Sequence, residues 1–329
     1  MENEKIRFLG RHLKKQGREF FAFSGAGFEF VLLPRARSFS FALCLDSELR
    51  EHDSQYIGIY LNGEFHAKKK LVSGKNLIEI PLNIACEQLH VKVIKLNEVY
   101  LSSLSLEDIL LKDAELGELP PRRKLIGFFG DSITCGYGLL DYHGESFSME
   151  SEDFGKTYAF LAAEELGMDC CIVARSGISL TLLIYCDTPF PQIYDTVDMF
   201  EKCPLGQPLD YAVINLGTND HGCYCAMKEE EKGQALEKFS QEYFRLLERI
   251  VQDNKGVKLV LASNLIEIQE CFLNAMEEAG KRIERKYGNP CRFVKFSPNS
   301  DGADYHPYMD AHKEAGALLV QTIASGFSD

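Results

Sequence analysis

The sequence predicts two unlike halves: a β-sandwich or jelly roll over residues 1–115, and a parallel β-sheet with helices on both sides over residues 124–329. Three observations lead there. Up to about residue 112 the apolar residues come in short runs rich in Phe, Val, Ile and Tyr, divided by glycine, asparagine and charged clusters. Residues 111–124 are polar and carry Pro120-Pro121, as a linker would. Beyond them, short apolar runs alternate with long amphipathic stretches. A chain of 329 residues exceeds one ordinary core, so two domains are expected.

The first half reads as strands throughout. FEFVLL and FSFALCL alternate with period two, as half-buried strands do. Asn62-Gly63 falls between apolar runs and predicts a tight hairpin. Residues 20–33, 38–46, 56–65, 76–82 and 90–106 supply the apolar runs. In the second half, residues 125–129 predict a buried strand, 156–166 a helix, 169–174 a strand, and 211–217 a strand that ends on glycine. A long amphipathic helix follows over 235–252, then strands at 257–263 and 291–296 around a helix at 271–288, and a last helix at 312–324. The acidic run at 227–233 reads as a solvated segment ahead of the long helix. Strands apolar on both faces and joined by helices belong in a parallel sheet.

Charge and cysteine usage narrow the function. A net charge of −13 argues against nucleic acid or an anionic membrane as partner. No run of 18 apolar residues occurs, and the N-terminal stretch has no apolar signal core. Eleven cysteines are scattered without a disulfide rhythm, and Cys86, Cys170 and Cys171 sit in strand-like apolar contexts. A reducing cytoplasm is the expected compartment. Oligomeric state is left open.

In an open parallel sheet, chemistry gathers at the carboxyl ends of the strands. Those ends carry Gly130-Asp131-Ser132, Arg175-Ser176-Gly177, Gly217-Thr218-Asn219-Asp220, and a late loop over 301–310 that contains His306. A hydroxyl attacks a carbonyl only when a base takes its proton and donors stabilise the oxyanion. Ser132 supplies the hydroxyl and its own N–H. Gly177 N–H and the Asn219 amide supply further donors, and His306 the base. Each has a plainer reading. Ser132 could cap a helix, while Gly177 and Asn219 could serve only their turns. The serine follows Gly-Asp, so this is not the G-x-S-x-G elbow of α/β-hydrolases. His312, in the first turn of the last helix, reads as solvated, and His143 as a loop residue near the mouth. His221, Cys223 and Cys225 form H-x-C-x-C, but the spacing lacks paired cysteines and a fourth ligand, so neither metal nor cofactor is expected. Tyr137, Tyr142, Tyr185 and Tyr305 are candidates for a sugar platform, and His221 for a pocket wall; each could be plain packing.

The four blocks GDSITCGYG (130–138), SG (176–177), GTND (217–220) and DYHP (304–307), in this order, resemble the SGNH (GDSL) hydrolases. The resemblance implies a flavodoxin-like three-layer α/β/α fold, Ser132 as nucleophile and His306 as base. It also implies an oxyanion hole of Ser132 N–H, Gly177 N–H and Asn219. Gly10-Arg11, FSGAGFEFVL (23–32) and VIKLNE (93–98) further resemble the β-sandwich module of carbohydrate esterase family 2, whose members remove acetyl groups from sugar hydroxyls. The usual acid position of the family, three residues before the histidine, is Ala303 here. Asp304 and Asp301 stand two and five residues before His306, which leaves the third member open between Asp304 and a backbone carbonyl. The expected function is an esterase that deacetylates an acetylated sugar or oligosaccharide through an acyl-enzyme. Two rivals stand beside it. One is a general short-chain carboxylesterase or lysophospholipase with an acyl pocket among Leu139, Leu140, Leu180, Leu182 and Leu183. The other is a non-catalytic carbohydrate-binding protein. The first half either binds carbohydrate or completes the wall of the site.

Overall fold

A computed structural model of the chain describes residues 5–33, 38–46, 53–82, 88–111, 114–142 and 145–327. Cys86 and His143 lie outside these residues. Among the described residues, ten strands come first: Ile6–Leu9 (β1), Leu13–Lys15 (β2), Arg18–Phe21 (β3), Gly27–Leu32 (β4), Ser38–Leu45 (β5), Gln55–Leu61 (β6), Glu64–Leu71 (β7), Gly74–Pro81 (β8), Leu89–Lys95 (β9) and Leu104–Leu111 (β10). They form two antiparallel sheets, ordered β1-β4-β9-β6-β7 and β2-β3-β10-β5-β8. The expected hairpin is there: Leu61 pairs with Glu64 across Asn62 and Gly63, whose φ values of 52° and 85° are those such a turn requires. The apolar run at 20–33 is two strands in different sheets, broken at Gly25 with φ of 75°. The sheets face each other through Phe28 against Phe41 and Phe30 against Phe39, edge to face at 5.5 and 5.7 Å. All four rings are buried. Truncating any of them to Ala removes both transfer energy and packing, a cost of about 3–5 kcal/mol.

The second half is a parallel sheet of Leu125–Gly130 (β11), Asp169–Ala174 (β12), Tyr211–Asn215 (β13), Lys258–Ser263 (β14) and Cys291–Lys295 (β15), ordered β12-β11-β13-β14-β15. This is the flavodoxin-like order, in which the connection reverses direction between β11 and β13. Seven α-helices accompany it among the described residues: Ser132–Cys135 (α1), Tyr158–Glu165 (α2), Phe190–Ile193 (α3), Thr218–Cys225 (α4), Glu229–Asp253 (α5), Glu270–Tyr287 (α6) and Met309–Gly326 (α7). None is long and apolar enough to cross a membrane.

Alternation along the strands builds a core on each face. Leu125, Phe129, Ala212, Ile214, Leu259 and Leu261 pack with Phe239, Tyr243 and Leu247 of α5 and Met276 and Ile283 of α6. Ile126, Phe128, Val213 and Val260 face the other way, toward Tyr158 and Ala162 of α2 and Ala315 and Leu319 of α7. The sandwich half enters both cores, with Ala22, Phe23 and Val99 on one side and Leu9, Tyr60, Ile94 and Leu96 on the other. Two expectations need correction. The acidic run is not ahead of the long helix: Glu229, Glu230 and Glu231 form its first turn, where carboxylates complement the positive end of the helix dipole. His312 is not solvated. It is 1% exposed, on the α7 face shared by Ala315, Gly316 and Leu319, and its Nδ1 accepts from the backbone N–H of Tyr158 at 3.3 Å.

Candidate active site

The strands on either side of the reversal carry the first residues of the site. β11 ends at Gly130, and the chain turns at once into α1. Asp131 caps that helix, its Oδ1 accepting from Ile133 N–H at 3.0 Å. Burial pushes the Asp131 carboxyl up to about 7, and the Ile133 bond opposes the rise. A methyl group on Gly130 would sit 2.0 Å from Thr134 Oγ1, so only glycine allows this tight strand-to-helix turn. Ser132 is therefore the first residue of the helix. The capping reading belongs to Asp131.

His306 reaches Ser132 from the loop before α7. Its Nε2 lies 2.9 Å from Ser132 Oγ. Its Nδ1 lies 3.2 Å from the main-chain oxygen of Asp304. A carbonyl oxygen can only accept, so Nδ1 carries the proton and Nε2 is free to take one from the serine. Burial holds the imidazole below its usual range, and the nearby Asp304 partly offsets this. The carboxylate of Asp304 is elsewhere: its Oδ2 accepts from Tyr137 O–H at 3.0 Å. Asp301 is elsewhere too, accepting from Asn299 Nδ2 at 2.7 Å. Neither expected acid meets the ring. Asp304 and Tyr305 are both left-handed, with φ of 47° and 63°. Such non-glycine residues cost about 1–3 kcal/mol each and need surrounding structure to hold them. Gly302 N–H donates to His306 O at 2.8 Å and His306 N–H to Ala303 O at 2.9 Å, which closes the loop around the strained pair.

Ser132, His306, Gly177, Asn219, Tyr137 and His221 line one cavity of about 650 Å³. Gly177 has φ of 73°, and an added methyl group would press on Tyr185 at 3.0 Å. Asn219 Nδ2 donates to Ile178 O at 2.8 Å, which fixes its amide plane and leaves its second N–H available. Asp220, next in the block, is a loop clamp. Its two oxygens accept from Leu180 N–H and Thr181 N–H, each at 2.8 Å. Tyr305 is 67% exposed and outside the lining, and Tyr142 stacks on Tyr308 at 4.2 Å, also outside it. None of the five leucines proposed for an acyl pocket lines the cavity; Leu139 and Leu180 are buried in the protein. His221, Cys223 and Cys225 do not converge. Cys225 Sγ is 3.2 Å from His221 Nε2, while Cys223 Sγ faces Leu182 O. The described residues with metal-like spacing are Glu98, Cys135 and Glu152, all buried. Beside them the ammonium of Lys95, donating to Asn97 O and Glu98 O, already supplies the counter-charge.

The sequence reading gave no role to Tyr100 or Glu98, and named Arg175 only as part of a strand-end block. Tyr100 and Arg175 line the cavity, with the guanidinium 5.5 Å from the Tyr100 ring. Arg175 carried a signal, since it stands directly before the Ser-Gly block. Glu98 carried only its place in the VIKLNE stretch.

A serine hydroxyl on an oriented imidazole, at the reversal point of a flavodoxin-like sheet, defines a hydrolase-type site. The GDSL-like lipase/acylhydrolase family model matches residues 126–315, more than half of the chain, and the chain belongs to that family. A cellulase/esterase, CelE, of Acetivibrio thermocellus is 37% identical over 222 residues. The match covers 62% of this chain and 26% of that protein, so the chain spans about a quarter of its length. Solved structures share the whole architecture. A family two carbohydrate esterase from Clostridium thermocellum, in complex with cellohexaose, has a TM-score of 0.86 at 19% identity and covers 98% of both chains. An acetyl xylan esterase from Butyrivibrio proteoclasticus has a TM-score of 0.86 at 17% identity, covering 99% of this chain and 97% of the other. The fold, sandwich included, is that of these esterases.

Proposed function

We propose that this chain is a serine esterase that removes O-acetyl groups from a carbohydrate through an acyl-enzyme. The observation that carries the reading is the 2.9 Å contact between Ser132 Oγ and His306 Nε2 inside the open cavity. His306 takes the hydroxyl proton as Ser132 attacks the acetyl carbonyl. The oxyanion is held by Ser132 N–H, Gly177 N–H and Asn219. On collapse, the sugar oxygen leaves with the proton returned by His306. Water then attacks the acyl-enzyme, giving up its proton to the same imidazole, which passes it to Ser132 Oγ as the acyl bond breaks and acetate is released. The catalytic pair is a dyad of Ser132 and His306, with Asp304 acting through its main-chain oxygen.

A small acyl group suits the lining. Its apolar part is Tyr100, Tyr137, Tyr185 and Ile266, the last being the one aliphatic side chain of the lining among the described residues. The tyrosines offer faces for sugar rings. The two esterases of like fold, named for cellohexaose binding and acetyl xylan, point to the same substrate class. The rival reading, a general short-chain carboxylesterase or lysophospholipase, loses the leucine pocket on which its acyl site rested.

The test is a panel of acetylated mono- and oligosaccharides beside aryl esters of two to eight carbons. Turnover is expected to be highest on acetylated sugars and to fall beyond the propionyl ester. A preference for six or more carbons would overturn the assignment.

A further inference from the structure

The loop that carries Gly177 is held by a residue of the other half. Glu98 follows β9 in the sandwich half and is fully buried. Its carboxylate spans the join between the halves to Ser176. Oε2 accepts the backbone N–H of Ser176 at 2.6 Å, and Oε1 accepts the Ser176 hydroxyl. The Ser176-Gly177 turn is closed by Ile178 N–H donating to Arg175 O at 3.3 Å. The carbonyl of the same Ile178 accepts the Asn219 amide at 2.8 Å. A single chain of bonds thus runs from Glu98 through the Gly177 turn to Asn219. Glu98 is itself braced: Lys95 Nζ donates to its main-chain oxygen. Asn97 beside it accepts from Tyr56 N–H at 2.7 Å and donates to Met149 O at 2.8 Å.

We propose that Glu98 is a positioning residue for the oxyanion hole, so that the sandwich half completes the catalytic device rather than only its wall. The proposal rests on the serine-esterase reading above. Two of the three donors named there, Gly177 N–H and Asn219, are tied to one carboxylate. Preorganised donors act where charge develops, so a loosened turn weakens the transition state more than the substrate complex. An acidic side chain is suited to the task because it accepts two hydrogen bonds at once, and charge-assisted bonds to N–H groups are short and strong. Burial raises the Glu98 carboxyl above the ordinary carboxylate range, and the two Ser176 bonds, then Lys95 and the guanidinium of Arg175, pull it back toward the ionised form.

The experiment compares Glu98→Ala, Glu98→Gln and Ser176→Ala in the full chain, with thermal unfolding to identify folded variants. Glu98→Ala is expected to lower kcat on an aryl acetate by about 10²-fold with KM within about threefold, close to the loss of one oxyanion donor. Glu98→Gln should recover most of that loss. Its carbonyl can accept the Ser176 N–H, and its amide can donate to the hydroxyl oxygen. Combined with Asn219→Ala, Glu98→Ala should cost less than the product of the single losses, because both act on one device. Binding of a boronic acid, whose tetrahedral adduct on Ser132 occupies the hole, should weaken in parallel with kcat. If Glu98→Ala does not fold, Ser176→Ala carries the test: it removes one of the two bonds and should lower kcat about tenfold at unchanged KM. A folded Glu98→Ala or Ser176→Ala with parental kcat, or a loss confined to KM, overturns the proposal. Retained turnover in Ser132→Ala overturns the esterase reading instead, and the two failures are thereby told apart.

Discussion

His306 and Asp304 meet through the backbone: the imidazole Nδ1 lies 3.2 Å from the Asp304 carbonyl oxygen, while the Asp304 carboxylate turns away to accept the Tyr137 hydroxyl. The same residue therefore could have supplied a full charge to the ring and supplies a peptide dipole. The left-handed conformations at 304 and 305 put the carbonyl there. A carbonyl fixes the tautomer as well as a carboxylate does, but it stabilises the imidazolium less.

Asp304→Asn tests that distinction. Asparagine keeps the main-chain oxygen, tolerates the left-handed region and can still accept from Tyr137. Its kcat should fall less than about tenfold, against roughly 10⁴ for loss of a triad acid. Steady-state kinetics on an acetylated sugar, with thermal unfolding as control, measure it. A loss as deep as that of Ser132→Ala would make the carboxylate the third member.

Asn219→Ala should lower kcat by about 10²–10³ and leave KM nearly unchanged. The side chain is partly exposed and, among the described residues, bonds to Ile178 O alone, so folding should survive. A change confined to KM would assign Asn219 to substrate binding instead.

How much of this was legible follows from which interactions are local. β11, β13 and their terminal blocks could be read because both faces of each strand are apolar and the glycine stops are adjacent in sequence. Asn62-Gly63 carried its own turn geometry. Asp304 could not be assigned, because its role is decided by two backbone angles rather than by its side chain. Glu98 meets Ser176 across 78 positions, and no local pattern records that contact. His312 was misread although a signal existed: it precedes Ala315, Gly316 and Leu319 by three, four and seven positions, the spacing of one helical face.

The pH profile should follow His306. The imidazole acts as a base only when neutral, and burial disfavours the imidazolium. The acid limb of kcat/KM is therefore expected below the ordinary histidine value of about 6.5, with a plateau through neutral pH. Measurement on a soluble acetate ester at constant ionic strength checks this. A midpoint above 7 would mean that a negative charge stabilises the protonated ring, contrary to the backbone contact.

His312 should contribute to the loss of stability on the acid side. Burial, together with the nearby His306, holds its imidazole down to about 3, against about 6.5 in an unfolded chain. Between those values the unfolded state binds a proton that the folded state does not. Unfolding free energy consequently rises with pH across this window and falls as the solution is acidified from about 6.5 toward 3. The ring keeps its Nδ1 as acceptor for Tyr158 N–H, and its buried Nε2 has no hydrogen-bond partner among the described residues. His312→Gln offers an acceptor of similar reach and does not titrate. It should make the urea midpoint less dependent on pH between 6.5 and 4.5, whatever it does to stability at neutral pH. Urea unfolding of parent and variant at four pH values in that range provides the comparison. Parallel curves for the two proteins would show that the acid sensitivity comes from other groups.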